Sequence, residues 1–171
     1  MMHGRVWRFG DNVSTDQMYP SKYNVATASQ QEIASHAMSG ADPDFAGRVK
    51  PGDVVIGGEN FGCGSSRENA ANSLKFLGIS VVVAEYFGRI FYRNAINVGL
   101  PAIEAPGVSK VKEGAEVEID LKAGTVKDLS TGRVYRGTAI PAFLQEILDE
   151  GGLMPYLEKQ YPPLERIANG E

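Results

Sequence analysis

The sequence predicts an α/β fold in which a parallel sheet is followed by an antiparallel meander. Two observations point there. The middle of the chain alternates short apolar runs of buried-strand character, Val54-Val55-Ile56, Ile79 to Ala84 and Leu100 to Glu104, with stretches of helical spacing. Strands joined through helices imply parallel pairing with right-handed crossovers. From Ala115 onward the pattern changes: Val117, Ile119 and Leu121 alternate with charged residues, and Gly124 and Gly132 mark tight hairpin turns. With 171 residues the chain is long enough for one domain with a sizeable core and too short for two full-size ones, so a single domain over 1–171 is expected.

In chain order, Arg5-Val6-Trp7-Arg8-Phe9 is rich in strand formers and runs into the turn-prone Gly10-Asp11-Asn12. Ser29-Gln30-Gln31-Glu32 has capping-box spacing, the serine accepting from a free amide while Glu32 reaches back. Ile33, Ala34, Ala37 and Met38 share one face, which predicts a helix over about 30–39 that stops at Gly40. Pro51-Gly52-Asp53 is a turn before the first buried strand. The glycine-rich stretch Gly57 to Gly64 comes next, and Ser65 and Ser66 stand at the expected N-cap of a helix that runs through Leu77 and ends at Gly78. Ile90 to Val98 has helical spacing and ends at Gly99. A last helix is expected after Pro141, carrying Phe143, Leu144, Ile147 and Leu148 and stopping at Gly151-Gly152. The polar tail, from about residue 152 and past Pro155, is expected to be ordered only against a partner.

Composition excludes several classes of function. A hydrophobic fraction of 43% with 22% charged residues is ordinary for a globular protein. The net charge of −4, with scattered Lys and Arg, offers no surface to neutralise phosphates, so nucleic acid is not an expected partner. The longest apolar stretch falls far short of the roughly 20 residues a membrane span needs. The N-terminus MMHGRVWRFGD lacks the apolar core and cleavage site of a signal peptide, which makes the cytoplasm the expected location. A single cysteine, Cys63, excludes an internal disulfide and cannot alone hold an iron–sulfur cluster or a structural zinc, which take about four ligands.

The candidate site is Gly62-Cys63-Gly64-Ser65-Ser66-Arg67-Glu68. A loop between a strand and a helix N-terminus presents unpaired amides and the positive end of the helix dipole, where anions bind. A serine at such a place commonly does no more than cap the helix. An arginine in the first turn opposes the dipole, however, so local stability does not explain Arg67. A carboxylate ligand does, because guanidinium and carboxylate match as a two-pronged fork. The loop has neither the Gly-Lys-Ser/Thr ending of a phosphate-binding loop nor dinucleotide GxGxxG spacing, which disfavours a nucleotide.

Four motifs in register, GDNVSTDQMYPSKY, DPDFAGRVKPGDVV, ENFGCGSSREN and VVVAEYFGRIFYRNAINVGLP, closely resemble the small subunit of 3-isopropylmalate dehydratase and its homoaconitase relatives, over about Gly4 to Phe143. The resemblance implies a three-layer β/β/α swivelling domain of the aconitase C-terminal type. It also implies a large-subunit partner, in a heterodimer or heterotetramer, that carries a [4Fe–4S] cluster, with no metal on this chain. Ser65 is then the general base, an alkoxide that removes the proton next to a carboxylate. Ser66 and Arg67, with Gly64, bind substrate carboxylate, and Asp16, after Thr15, orders the charged groups near the base. A serine hydroxyl is far too weak an acid for this in water. The helix N-terminus, nearby amides and Arg67, in a site dried by subunit closure, would stabilise the alkoxide and the enediolate-like carboxylate formed by proton loss. Cys63 reads as a small loop residue, and His3 and His36 match no catalytic position.

The stretch after Pro20 corresponds to the family's specificity loop and reads Tyr23-Asn24-Val25-Ala26. Homoaconitase-like members carry an arginine there for a distal carboxylate, and isopropylmalate enzymes an apolar residue. Val25 occupies that position, so 3-isopropylmalate/2-isopropylmalate isomerisation in leucine biosynthesis is the leading expectation. Asn24 and Ala26 depart from the usual leucine and larger residue, and Asn69 stands where histidine is usual, which leaves 2,3-dimethylmalate or citramalate as alternatives. A reading from another class is a non-catalytic dicarboxylate-binding regulatory module; intact Ser65, Ser66 and Arg67 speak against it. A self-sufficient serine hydrolase lacks a histidine placed to activate Ser65.

Overall fold

The computed structural model describes residues 1–162. Seven strands run in the order β4 (Ala102–Glu104), β3 (Val81–Ala84), β2 (Val54–Gly57), β1 (Met2–Arg8), β5 (Glu116–Asp120), β6 (Thr125–Asp128) and β7 (Val134–Arg136). The strands β1 to β4 pair in parallel, and β5 to β7 form the antiparallel meander. β1 joins the two systems. Its first half pairs antiparallel with β5, from Met2 opposite Ile119 to Arg5 opposite Glu116, and its second half pairs parallel with β2, from Val6 opposite Val54 to Arg8 opposite Ile56. Just before the switch, opposite Val117, sits Gly4, where a Cβ would run into the Gly52 carbonyl oxygen and stand 2.9 Å from Val54 Cγ2.

Side-chain alternation along the strands produces the layers. Trp7, Val55, Val82, Ala84 and Ala102 face the helices and pack with Met18, Ile33, Ala70, Leu74, Phe91 and Ala95. Their neighbours Val6, Val54, Ile56, Val81, Val83 and Ile103 point the other way, onto Val117, Ile119, Val126 and Tyr135 of the meander. Parallel strands buried on both faces are what continuous Val/Ile runs predict, at about 1.5–3 kcal/mol for each fully buried side chain. The result is the expected β/β/α layering.

The helices are α1 (Thr15–Met18), α2 (Gln30–Ser35), α3 (Phe45–Arg48), α4 (Glu68–Leu77), α5 (Arg89–Val98), α6 (Ala142–Asp149) and α7 (Leu153–Gln160), with a 3-10 turn at Ser21–Tyr23. The capping box at Ser29 and Glu32 forms. Gly78 and Gly99 end α4 and α5 in the left-handed conformation.

Three expectations need correction. α2 stops at Ser35 and not near 39, because Met38 turns to φ 57° and its amide bonds to the Met18 carbonyl at 2.6 Å. α4 starts at Glu68, and its N-cap is Arg67, not Ser65 or Ser66. The second and third buried strands are shorter than their apolar runs, since Ile79 and Leu100 close the ends of α4 and α5 through bonds to Leu74 and Ala95. Beyond residue 152, Leu153–Gln160 forms a helix. Pro155 lies in its first turn, where no amide is needed, and Tyr156 meets Phe143 edge-on at 6.0 Å. The rest of the expected partner-ordered tail, 163–171, lies outside the described residues. Among the described residues no helix is long and apolar enough to cross a membrane.

Candidate active site

Two backbone zippers fix the loop after β2. On one side the Asn12 amide donates to the Glu59 carbonyl at 2.8 Å, Gly62 to Val13 at 2.7 Å, and Thr15 to Cys63 at 2.8 Å. On the other side Phe61 donates to Tyr86 at 3.0 Å and Gly88 to Phe61 at 2.9 Å. Beneath lies an aromatic cluster, with the Phe61 ring 6.3 Å from Phe87 and 5.9 Å from Phe91. Gly62, at φ +81°, is pressed so closely onto that cluster that a Cβ would stand 2.5 Å from Phe91 Cβ. The base of the loop is buried, while Gly64, Ser65 and Ser66 are exposed on top of it.

The segment carrying α1 braces the loop. The Thr15 hydroxyl, buried, donates to the Ser65 carbonyl at 3.0 Å and so fixes the main chain of that serine. Among the described residues neither the Ser65 nor the Ser66 hydroxyl is bonded, and neither caps α4. The bland explanation for these serines, helix capping, therefore does not hold. Arg67 Nη1 donates to Asp16 Oδ1 at 2.7 Å and to the Tyr19 carbonyl at 2.8 Å. Its side chain is only 16% exposed. Nη2 and Nε carry no bond among the described residues, so one edge of the guanidinium is braced and the rest of its donors are left for a ligand. The Arg67 hydrogen bond, and after it the Ser21 amide, holds the Asp16 carboxyl below the usual carboxylate range, so Asp16 is ionised at neutral pH.

Tyr23, Asn24, Val25 and Ala26 lie on and just after the 3-10 turn. Tyr23 stacks on His36 at 3.7 Å and carries Lys22 over its ring at 4.9 Å. Val25, 55% exposed, lines a hollow of about 250 Å³ with Tyr19, Tyr23, Ala28 and His36. Asn24 Oδ1 accepts from Asn69 Nδ2 at 2.9 Å, which ties this turn to the first turn of α4. The structure thus joins Asp16 to Arg67 and Thr15 to Ser65, and it links Asn24 to the loop's helix; no hydrogen bond connects Val25 or Ala26 to Ser65, Ser66 or Arg67. A second hollow of about 250 Å³ flanks the loop, lined by Cys63, Gly64, Gly88, Arg89 and Ile90.

Sequence reasoning missed the Tyr19 carbonyl and the Asn24–Asn69 pair. The Ser14 and Gln17 capping box that opens α1 was visible as a spacing and marks the start of the brace. Among the described residues no group of three or more His, Cys, Asp and Glu is placed to hold a metal ion.

The family described as the aconitase C-terminal domain matches residues 7–107. The isopropylmalate/citramalate isomerase small subunit of Methanocaldococcus jannaschii is 58% identical, with 94% of this chain and 95% of that one covered. The 3-isopropylmalate dehydratase small subunit 1 of Thermotoga maritima is 52% identical over 93% and 96%. The methanogen homoaconitase small subunit of Methanothermobacter thermautotrophicus is 48% identical over 93% and 92%. A crystal structure of a 3-isopropylmalate dehydratase from Methanocaldococcus jannaschii superposes with a TM-score of 0.88 at 44% identity, covering 99% of both chains. With the layering, the loop and these likenesses in agreement, the chain belongs to the aconitase C-terminal domain family, among the small subunits of 3-isopropylmalate dehydratase and its homoaconitase relatives.

Proposed function

We propose that this chain is the small subunit of a hydro-lyase that isomerises a 2-hydroxy-dicarboxylate, with 3-isopropylmalate/2-isopropylmalate as the leading substrate pair. The observation that carries the reading is Arg67, braced through Nη1 by Asp16 and Tyr19 with its other donors unspent, beside two exposed serines that cap nothing. Arg67 and Ser66 bind a substrate carboxylate, and Gly64 lets the chain come close to it. Ser65, as its alkoxide, takes up the proton next to that carboxylate and becomes the neutral hydroxyl. Arg67 and the first-turn amides of α4 offset the negative charge that builds up as the proton leaves. Closure by a large subunit excludes water and strengthens each of these interactions.

With Cys63 the one cysteine of the sequence, the [4Fe–4S] group that such chemistry uses belongs in this reading to the large subunit, where it would supply Lewis acidity toward the substrate hydroxyl. The same reading puts the chain in the cytoplasm, as one domain, without nucleic acid or membrane partners. Val25 is uncharged and Lys22 lies over Tyr23, which favours an alkyl substituent over a third carboxylate. A second substrate, citramalate, is favoured by the likeness to the isopropylmalate/citramalate isomerase small subunit, and 2,3-dimethylmalate is of similar size. The test is anaerobic reconstitution with the cognate large subunit and iron, followed by the absorbance of the unsaturated dicarboxylate. Turnover of alkyl-substituted malates and none of homocitrate is expected. Dicarboxylate binding without turnover by the assembled pair would favour a regulatory module instead.

A further inference from the structure

The exposed turn Asn24 to Thr27 is shaped by its own bonds. The Tyr19 hydroxyl donates to the Tyr23 carbonyl at 2.8 Å, the Val25 amide to Tyr23 at 2.9 Å, and the Ala28 amide to Val25 at 3.1 Å. None of these sets its distance from the Ser65 to Arg67 loop. Besides the Thr15 bonds to Cys63 and Ser65, that distance is set from the N-cap and first turn of α4 at two points. Arg67 grips Asp16 and the Tyr19 carbonyl at the start of the segment, and Asn69, two residues on, donates to Asn24 at its end. The Asn69 amide has a defined direction. Its Oδ1 accepts from Asn72 Nδ2 at 3.3 Å, while Asn72 also reaches Glu68 Oε1 at 3.4 Å, so the NH2 of Asn69 is the end presented to Asn24.

We infer that Asn69 is a positioning residue for substrate choice: through Asn24 it sets the place of Val25 relative to Arg67, and thereby selects among 2-hydroxy-dicarboxylates by the size of their alkyl substituent. The inference rests on the function proposed above. Asn24 and Asn69 form one donor–acceptor pair between the turn and α4. With small Ala26 beside it, Val25 offers a single branched apolar contact, suited to substituents from methyl to isopropyl.

The test uses the chain assembled with its large subunit and compares kcat/KM for 2-methylmalate (citramalate) and 2-isopropylmalate, which carry the alkyl group on the same carbon. Asn69→Ala and Asn24→Ala are each expected to change the ratio of the two values by about three- to tenfold, through KM, as the loss of one hydrogen bond implies. The double variant should change it no further, because the pair acts as a unit. A residue that merely stabilised the fold would lower both values together. Wild-type turnover with an unchanged ratio in the variants, or shifts that add in the double variant, overturns this inference alone. Absence of wild-type turnover on every alkylmalate overturns the proposed function, and this inference with it. Should Asn69→Ala not fold, the surface substitution Asn24→Ala decides the question by the same ratio.

Discussion

Replacing Arg67 by lysine keeps the charge and removes the fork. In the structure one guanidinium nitrogen serves both Asp16, at 2.7 Å, and the Tyr19 carbonyl, at 2.8 Å, while Nη2 and Nε point to no partner among the described residues. A lysine ammonium can take over the braces with its rotatable protons, but it then has no planar edge with which to hold both oxygens of a carboxylate. A hydrogen bond to a charged group contributes about 1.5–3 kcal/mol. Since about 1.4 kcal/mol is a factor of ten, losing one such bond raises KM by about 10- to 150-fold. The assay is steady-state turnover of the reconstituted pair, with gel filtration to confirm that Arg67→Lys still assembles. A KM within twofold of wild type refutes the carboxylate-binding role.

Two further substitutions test the scaffold of the site. Gly62→Ala forces an L residue to φ +81° and drives its Cβ into Phe91, which together cost about 2–5 kcal/mol and lower the urea midpoint; a midpoint within error of wild type contradicts the close packing. Asp16 has a carboxyl lowered from 3.8 by Arg67 and the Ser21 amide, so its contribution is present above the unfolded value and is lost as pH falls through the folded one. The stability difference between wild type and Asp16→Asn should accordingly be constant near neutrality and vanish in acid below 3.8, read from urea unfolding across pH; a difference that grows in acid would exclude the ion pair.

How much of this was legible in the sequence depends on how local the signal was. The helices stopped by Gly78 and Gly99 and the box at Ser29 were readable, because each is a contact within a few residues. The start of α4 was not. Ser65 and Ser66 are good capping residues, but the Thr15 hydroxyl, 50 positions away, holds the Ser65 carbonyl and the helix begins beyond them. Arg67 was singled out because helix stability does not explain it, yet part of its setting is a brace onto Tyr19, a main-chain oxygen that no side-chain pattern reveals. α1 is four residues long, too short for periodicity, and only its Ser14/Gln17 box announces it. Asn24 and Asn69 were each visible as departures, but a pairing across 45 positions appears only in three dimensions. α7 was not read from the sequence: its eight residues follow a glycine pair, and Pro155 sits in its first turn, where a helix tolerates it.

The central claim is that the exposed loop from Gly62 to Glu68 carries the base, and Ser65→Ala tests it most directly. The Ser65 hydroxyl makes no bond among the described residues, so removing it should leave folding and co-elution with the large subunit unchanged. Loss of a general base lowers turnover on the order of 10²- to 10⁴-fold. The account predicts that drop in kcat with assembly intact; turnover within threefold of wild type in the assembled Ser65→Ala pair would contradict it.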